Sequence, residues 1–366
     1  MKTLKSIFIV FVLLLGAVKM EIRMKIIIVS SLLMLSNTFS QHIDKLKLDS
    51  AIMKADRIIV SDSRVFFKNV ESLIVYSQGE IKFEKYYNGF SKDSLHQIQS
   101  QTKSIMALLM GIAIDKGYIK SENEPVRFYF PDYFNDDNQP KSKVTIRDLL
   151  TMSAGFEWEE MLPLNDAKND NANMFNSGNW LQYALSRPMA QKPFTEFKYN
   201  SGCPMIMAGI IEKATKMKLD EFANKYLFKP LGIVKFRWLK DQTGFCHAGG
   251  GLFLKPRDVL NIGELVLNNG RRNNNQIISE NWIQKATSSY LATSFDTSTY
   301  GYFWWIREMK INEGKTTKMV SSEGAGGQKL YIFPDYKLII AFTERNYSTP
   351  QVSPIFIKES ILPLLN

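Results

Sequence analysis

The sequence Ser100-Gln-Thr-Lys103 stands directly before an almost wholly apolar run, Ser104–Lys116, which ends at Gly117. A run that is apolar on nearly every side predicts a buried helix, and a glycine after it is a common helix stop. Residues three apart on a helix share a face, with Cβ atoms ~5–6 Å apart. The Lys103 amine can therefore reach the Ser100 hydroxyl at the start of this helix.

A serine and a lysine in this arrangement can supply the nucleophile and the base of an acyl transfer. A serine hydroxyl needs a nearby base to become nucleophilic, and a buried lysine that has lost its proton can serve. The free N–H groups and positive potential at a helix N-terminus stabilise an oxyanion that forms there. The same four-residue pattern also arises by chance at serine-rich helix starts, so simple packing is the alternative for Ser100 and Lys103.

A second candidate is Tyr199-Asn-Ser-Gly202, which lies just before a helix that we predict to open at Pro204. Proline is tolerated at the first position of a helix, and apolar residues follow it here. A tyrosine on a rigid turn beside a lysine can pass a proton to a leaving group. The alternative is a packed tyrosine in a capping turn.

A third candidate is the glycine-rich stretch Ser322-Glu-Gly-Ala-Gly-Gly-Gln328, which leads into the predicted strand Leu330–Phe333. Glycines at the entry of a strand allow a substrate or an oxyanion to approach the backbone closely. A flexible turn is the plain alternative. Phosphate binding is a poorer one, since no helix follows the glycines.

The wider pattern of helices and strands predicts the fold class. The remaining predicted elements are a helix at Leu46–Ile58, a hairpin of Ser72–Tyr76 and Glu80–Tyr87, strands at Tyr302–Ile306 and Leu338–Thr343, and a final helix at Pro354–Leu365. Between the two groups of strands the signals are helical, with a capping box at Thr145–Asp148 and an Asn-rich loop at Asn165–Asn179. We therefore predict an α+β fold, in which an antiparallel sheet from both ends of the chain is flanked by helices and carries an inserted helical domain. The predicted divisions are residues 41–98, 99–290 and 291–366, the first and last forming the α/β domain.

In their order along the chain, the three candidates resemble the motifs of the penicillin-recognising serine hydrolases. This family includes class C β-lactamases, low-molecular-weight DD-peptidases and family VIII-type esterases, and the resemblance extends from about Ile59 to the C-terminus. Other stretches that look like the family are Val144–Gly155, Lys229–Ile233, Gly249–Leu252, Pro256–Asp258 and Gly326–Pro334. The resemblance implies the β-lactamase/transpeptidase-like fold and hydrolysis through an acyl-serine intermediate.

The resemblance also implies a role for each motif residue. Ser100 would be the acylated nucleophile, Lys103 its base, and Tyr199 the group that relays the proton to the leaving group. The backbone N–H groups of Ser100 and Ala325 would form the oxyanion hole. Further substrate contacts would come from Ser201, Ser322, Glu323, Gly324 and Gly326.

Two motif positions depart from the family pattern. Ser201 stands where asparagine is usual, and Ser322-Glu323 stands where the family has Lys, His or Trp followed by a small residue. The change would remove a cation that holds the substrate carboxylate and would add an anion that repels it. We therefore expect neutral or amine-bearing substrates rather than β-lactams. A β-lactamase or DD-peptidase, or an impaired protein that binds peptide or cell wall, are the alternatives.

Other residue types offer weaker chemistry. The sequence has no Gly-x-Ser-x-Gly elbow, so a Ser-His-Asp triad would depend on His96 or His247. We expect His96 to be packed or on the surface and leave a substrate contact of His247 open. Cys203 and Cys246 can form a disulfide in an oxidising compartment or remain a free buried pair.

Composition limits the partners. Of the 366 residues, 45% are apolar and 22% charged, which is typical of a folded protein with a full core. The formal net charge is +10, and beyond residue 40 an excess of six basic residues remains, scattered along the chain. We therefore predict a small-molecule or peptide-like substrate and no nucleic-acid partner. With three histidines and two cysteines in the chain, we predict no metal site and no cofactor.

Residues 1–40 predict an export signal rather than part of the fold. Two apolar runs, Ile7–Val18 and Ile26–Leu35, each follow lysines, and the second leads to Thr38-Phe-Ser40. Both runs are shorter than the ~20 residues that a membrane span needs. We expect cleavage near Gln41 and a periplasmic or secreted protein without stable membrane insertion, with an uncleaved anchor as the alternative.

Overall fold

The computed structural model describes residues 43–134, 139–312 and 314–365. The predicted export signal at residues 1–40 lies outside these residues. The helices are α1 (Lys45–Ser61), α2 (Val65–Lys68), α3 (Gln101–Asp115), α4 (Ile146–Leu150), α5 (Asp170–Asn176), α6 (Trp180–Ser186), α7 (Gly202–Thr215), α8 (Leu219–Ala223), α9 (Pro256–Leu267), α10 (Glu280–Ala286) and α11 (Val352–Phe356). The strands are β1 (Val70–Ser77), β2 (Glu80–Tyr86), β3 (His96–Gln97), β4 (Arg237–Trp238), β5 (Leu252–Leu254), β6 (Arg271–Arg272), β7 (Asn275–Gln276), β8 (Leu291–Ala292), β9 (Thr299–Tyr300), β10 (Trp305–Asn312), β11 (Lys315–Gly324), β12 (Gln328–Phe333) and β13 (Leu338–Glu344).

One antiparallel sheet joins the two ends of the described chain. Its eight strands lie in the order β2-β1-β13-β12-β11-β10-β9-β8. The first strand, β1, thus pairs with the last, β13, and most of the helices lie in the sequence between them. This arrangement confirms the predicted α+β fold. In the described residues, no helix is both long and apolar enough to cross a membrane.

The hairpin of β1 and β2 shows how local sequence sets the register. Ser77 pairs with Glu80, so Gln78 and Gly79 form a two-residue turn. Their φ angles are +54° and +93°. Two successive positive φ angles are typical of the two-residue hairpin turn whose twist matches that of an antiparallel strand pair. Glycine adopts such angles readily, which explains Gly79.

The sheet separates two hydrophobic cores because successive side chains on a strand point to opposite faces. In β13, Ile340 and Phe342 pack into the core that also contains α1 and α11. Ile339 and Ala341 pack on the other face, in the larger core that contains α3, α7 and α9. The helices that carry the candidate motifs are therefore anchored on this second face.

Helix α3 is buried along most of its length, as its apolar sequence predicts. It ends at Asp115, and Gly117 has the left-handed φ of +73° that favours glycine after a helix. At Gly111 a Cβ atom would lie 2.2 Å from the Trp282 ring. The Trp282 indole packs closely there and donates a hydrogen bond to the Ala107 carbonyl over 2.9 Å.

Several predicted boundaries were wrong. The strand predicted at Tyr302–Ile306 is β10, which starts at Trp305. Strand β11 was not predicted, because its first residues, Lys-Thr-Thr-Lys, are polar. The predicted loop Asn165–Asn179 contains α5, and α7 begins at Gly202, two residues before Pro204. The predicted capping box is present, with Thr145 and Asp148 bonded reciprocally.

Candidate active site

Ser100 and Lys103 are in contact at the start of α3. The Lys103 amine lies 2.9 Å from the Ser100 hydroxyl oxygen and 2.6 Å from the Gly249 carbonyl oxygen. Only 1% of Lys103 is exposed, although its side chain ends in an amine. The Gly249 carbonyl therefore fixes the amine beside the hydroxyl, at the separation that the helical spacing predicts.

The glycine-rich stretch reaches this point because Gly324 has no side chain. A Cβ atom on Gly324 would lie 2.4 Å from the Ile98 carbonyl oxygen and 2.9 Å from the Gln99 Cβ atom. The Gln101 amide also donates a hydrogen bond to the Ser322 carbonyl over 3.0 Å. The end of β11 therefore lies against the residues that precede α3.

Backbone conformation is unusual immediately before the serine. Gln99 has a φ of +50°, in the left-handed region that glycine favours. Such conformations cost free energy and occur more often at functional sites than elsewhere. The Gln99 side chain is held by a hydrogen bond of 3.0 Å from its amide to the Tyr347 hydroxyl.

Tyr199 lies over the lysine. The Lys103 nitrogen is 4.9 Å from the centroid of the Tyr199 ring. The ring stacks on Trp305 with a centroid separation of 6.0 Å and an interplanar angle of 22°. Phe295 meets it edge-on at 6.1 Å. These aromatic contacts fix the tyrosine beside the Ser100–Lys103 pair.

The carboxylate of Glu160, which sequence reasoning missed, contacts the tyrosine motif. It accepts hydrogen bonds from the Ser201 N–H group over 2.6 Å and from the Ser201 hydroxyl over 2.9 Å. The Trp158 indole N–H is a third donor, at 2.6 Å. Glu160 lies in a loop without a recognisable motif, so no local sequence signal could have indicated it.

Glu323 forms ion pairs with two cationic side chains. The prediction that this part of the site lacks a cation was therefore wrong. Its carboxylate contacts Arg307 and Lys329, each at 2.5 Å, and accepts a hydrogen bond from the Ser321 hydroxyl over 2.7 Å. Burial alone would raise the pKa of Glu323, but Lys329 and Arg307 outweigh it and lower the pKa to about 2. The cations come from β10 and β12, which only the paired sheet brings beside β11.

A cavity of about 860 Å³ opens above these residues. Its lining includes six of the predicted site residues, namely Ser100, Tyr199, Ser201, Glu323, Gly324 and Ala325. Glu160, Arg307 and Lys329 line it as well. Lys103 is buried next to the Ser100 hydroxyl and is not part of the cavity wall.

Ser322 and Gly326, two of the predicted substrate contacts, are not among the residues that line this cavity. Ser321 and Glu323 lie on one face of β11, as their hydrogen bond shows, so Ser322 points to the opposite face. Gly326 lies in the turn with a φ of +78°, and a Cβ atom there would be 2.9 Å from the Tyr347 ring. Close packing against Tyr347, rather than substrate contact, explains this glycine.

The two N–H groups predicted for the oxyanion hole belong to Ser100, at the start of α3, and to Ala325, directly after β11. Among the described residues, neither the Ser100 nor the Ala325 N–H group donates to an acceptor of the protein. Both residues line the cavity. A substrate oxygen in the cavity therefore has two backbone donors within its wall.

The comparison with known families agrees with this geometry. The β-lactamase family model matches residues 70–354. The chain belongs to the β-lactamase family. These are the penicillin-recognising serine hydrolases that the motifs indicated, and the protein is a serine hydrolase of β-lactamase/transpeptidase-like fold.

One relative in sequence and two neighbours in structure have different functions in their names. The 6-aminohexanoate-dimer hydrolase of Paenarthrobacter ureafaciens is 24% identical over 284 residues, which cover 72% of this chain and 69% of that protein. The octameric penicillin-binding protein homologue from Pyrococcus abyssi superposes with a TM-score of 0.66 at 21% identity, over 85% of this chain and 77% of that one. A D-stereospecific amidohydrolase from Streptomyces sp. gives a TM-score of 0.66 at 14% identity, over 87% and 98% of the two chains.

Neither of the two histidines that the structure describes, His96 and His247, forms a triad with Ser100. His96 is buried, and its Nδ1 atom contacts the Glu71 carboxylate at 2.5 Å. His247 lines the cavity and packs edge-on against Trp180 at 4.9 Å. Burial, together with the charge of Lys103, lowers the pKa of His247 to about 4. His247 is therefore a neutral part of the cavity wall.

The two cysteines are free buried thiols, so of the two alternatives the disulfide was wrong. Burial raises the pKa of the Cys203 thiol well above its usual range. Burial likewise raises the pKa of Cys246 to about 12. Because thiolates rather than thiols are nucleophilic, neither cysteine is suited to catalysis.

Proposed function

We propose that this protein hydrolyses amide or ester bonds through an acyl-enzyme on Ser100. The observation that carries the proposal is the 2.9 Å contact between the Lys103 amine and the Ser100 hydroxyl at the wall of an open cavity. A nucleophile and base at this distance can exchange a proton directly. The names of two similar proteins, an aminohexanoate-dimer hydrolase and a D-stereospecific amidohydrolase, support a hydrolase that acts on amide-type bonds.

In the first half of the proposed reaction, Lys103 in its neutral form takes the proton of the Ser100 hydroxyl. The serine oxygen forms a bond to the acyl carbon, and the electron pair of the carbonyl moves to its oxygen. The N–H groups of Ser100 and Ala325 stabilise this oxyanion. When the carbonyl re-forms, the bond to the leaving group breaks, and Tyr199 relays the lysine proton to the leaving group.

In the second half, water takes the place of the leaving group. As the water oxygen bonds to the acyl carbon, the carbonyl electron pair moves to its oxygen. Tyr199 takes one proton from the water and passes its own hydroxyl proton to Lys103. Collapse of the second oxyanion breaks the bond to Ser100 and returns the proton to the serine oxygen. The acid product leaves and the starting state is restored.

The proposal includes a preference for neutral or amine-bearing substrates over β-lactams. Repulsion of a substrate carboxylate by Glu323 no longer supports this preference, because Arg307 and Lys329 neutralise the Glu323 charge. What supports it is that these cations are engaged with Glu323, while Glu160 presents a second carboxylate to the cavity. Turnover of nitrocefin as fast as that of a neutral ester would instead favour a β-lactamase.

The direct test is turnover of p-nitrophenyl acetate by the purified protein and two serine variants. Ser100→Ala should abolish turnover. Ser104→Ala is the matched control, because Ser104 lies on the same helix but its hydroxyl bonds the Phe303 carbonyl over 2.6 Å, away from the cavity. This control should keep the wild-type rate. Equal activity of Ser100→Ala and wild type would overturn the proposal, and a Ser100 that is never acylated would favour a binding protein.

We also propose that the enzyme is exported. The lysine-led apolar runs within residues 1–40 support this, since they have the length of signal-peptide cores. Expression of the full chain in a bacterium, followed by cell fractionation and N-terminal sequencing, tests it. Export predicts a periplasmic or secreted product that starts near Gln41, whereas an intact N-terminus in the cytoplasmic fraction would contradict it.

A further inference from the structure

We propose that Glu160 binds an ammonium group of the substrate, carried on an apolar chain. This inference rests on the proposed hydrolase function and names the chemistry that the same cavity recognises. Glu160 is one of two carboxylates in the cavity wall, the other being Glu323. The two carboxylates differ in whether their hydrogen-bond partners are charged.

Glu323 has its charge balanced within the protein, whereas Glu160 does not. Arg307 and Lys329 both contact the Glu323 carboxylate. Among the described residues, no lysine, arginine or histidine forms an ion pair with Glu160, whose partners are the neutral donors of Trp158 and Ser201. A cation that enters the cavity therefore finds an unbalanced negative charge at Glu160.

The carboxylate of Glu160 also has room for another donor. Its Oε2 atom accepts two hydrogen bonds, from the Trp158 indole and the Ser201 N–H group. Its Oε1 atom accepts one, from the Ser201 hydroxyl. A carboxylate oxygen accepts about two hydrogen bonds, so one position on Oε1 is open to an ammonium donor. The three existing bonds hold the carboxylate in a single orientation.

Part of the lining of the same cavity is apolar and exposed. Four large apolar side chains that line it are largely exposed to solvent, namely Met161 at 63%, Leu164 at 74%, Phe175 at 52% and Phe295 at 46%. Exposed apolar residues that gather around one cavity mark a surface for an apolar ligand group. A group with an aliphatic body and a cationic end matches both this part of the lining and Glu160.

A purely structural role for Glu160 makes a different prediction. The carboxylate accepts the Ser201 N–H group directly before α7, so it also helps to hold that turn. Glu160→Gln keeps the size and one oxygen acceptor but removes the charge. If Glu160 only supports the turn, this change affects all ligands equally. If it binds ammonium, the change acts on cationic ligands alone.

The test uses n-alkylammonium ions and n-alkanols of equal chain length as inhibitors of p-nitrophenyl acetate hydrolysis. With wild-type enzyme, the ammonium ion should inhibit at a lower concentration than its matched alcohol. Glu160→Gln should raise the inhibition constant of the ammonium ion about tenfold, the loss expected for one partly exposed charge-assisted hydrogen bond, and leave that of the alcohol unchanged.

Glu159→Gln is the matched control, because Glu159 is the adjacent residue, pairs with Lys198 at 3.1 Å and does not line the cavity. It should leave both inhibition constants unchanged. An equal effect of Glu160→Gln on ammonium ion and alcohol, or no effect, would overturn the inference. If wild-type protein does not hydrolyse the ester, the proposed function fails instead, and calorimetric titration with the same two ligands still tests Glu160.

Discussion

At the scale of single residues, the site depends on one buried amine. Lys103 is almost fully enclosed, yet it contacts the Ser100 hydroxyl and the Gly249 carbonyl. This pair was predictable because a spacing of three residues on one helix is a local property of the sequence. Glu160, Arg307 and Lys329 were not, since each reaches the cavity from a different element through long-range packing.

Replacement of the lysine should therefore remove the base without removing the nucleophile. Lys103→Met keeps a long side chain and should lower kcat for p-nitrophenyl acetate by about 10²- to 10⁴-fold, the usual contribution of general base catalysis. Steady-state kinetics measure the effect, and circular dichroism checks that α3 is intact. A folded Lys103→Met enzyme with the wild-type kcat would show that another group activates Ser100.

At the scale of elements, the site is the junction of α3 and β11. The apolar α3 was evident from sequence, because burial on every side leaves a distinct pattern. Strand β11 was not, because its first residues are polar and it is held by its neighbours β10 and β12 in the sheet. The sequence indicated that Gly324 is needed for close approach of a substrate. In the structure, the absence of a side chain at Gly324 allows β11 to contact Ile98.

Gly324→Ala should separate these two elements. The new methyl group would meet the Ile98 carbonyl at 2.4 Å, so β11 must move away from the start of α3. We expect kcat/KM for p-nitrophenyl acetate to fall by about 10²-fold, since shifts near 1 Å can have this effect. Steady-state kinetics on the folded variant provide the measurement.

Gly263→Ala is the control for steric crowding outside the site. A Cβ atom at Gly263 would lie 2.9 Å from the Leu330 side chain, in the packing between α9 and the sheet. This variant should change the thermal midpoint more than kcat/KM. Loss of activity in both variants to the same extent would contradict a specific role for the α3–β11 junction.

At the scale of the whole molecule, one sheet ties both ends of the described chain together and separates two cores. Strand-like runs at both ends of the chain, with a long helical stretch between them, made this architecture predictable. The charge balance of the sheet was not predictable, because it depends on which side chains meet across strands. Arg307 and Lys329 change Glu323 from a repulsive charge into part of a buried ionic group.

This ionic group should make the free energy of unfolding depend on pH. The pKa of Glu323 is about 2 in the folded protein, against an ordinary value of 4.5. The folded state then binds fewer protons than the unfolded state between these values. Its stabilisation is complete above about pH 4.5 and is lost as the pH falls towards 2.

Glu323→Gln should lower the free energy of unfolding by about 3 kcal/mol at pH 7. The difference from wild type should shrink as the pH falls from 4.5 to 2. Urea unfolding at a series of pH values measures it, with the exposed Glu308→Gln on β10 as a control that changes little. A difference that is absent at pH 7, or that grows in acid, would contradict the assigned ion pairs.

The proposed mechanism requires that Ser100 becomes covalently acylated during turnover. Acid quenching of the enzyme during hydrolysis of p-nitrophenyl acetate, followed by intact-mass measurement and peptide mapping, tests it directly. We expect one acetyl group on the peptide that contains Ser100 in the wild-type enzyme and none in Ser100→Ala. Turnover without an acetylated Ser100 peptide, or acetylation at another residue that persists in Ser100→Ala, would contradict it.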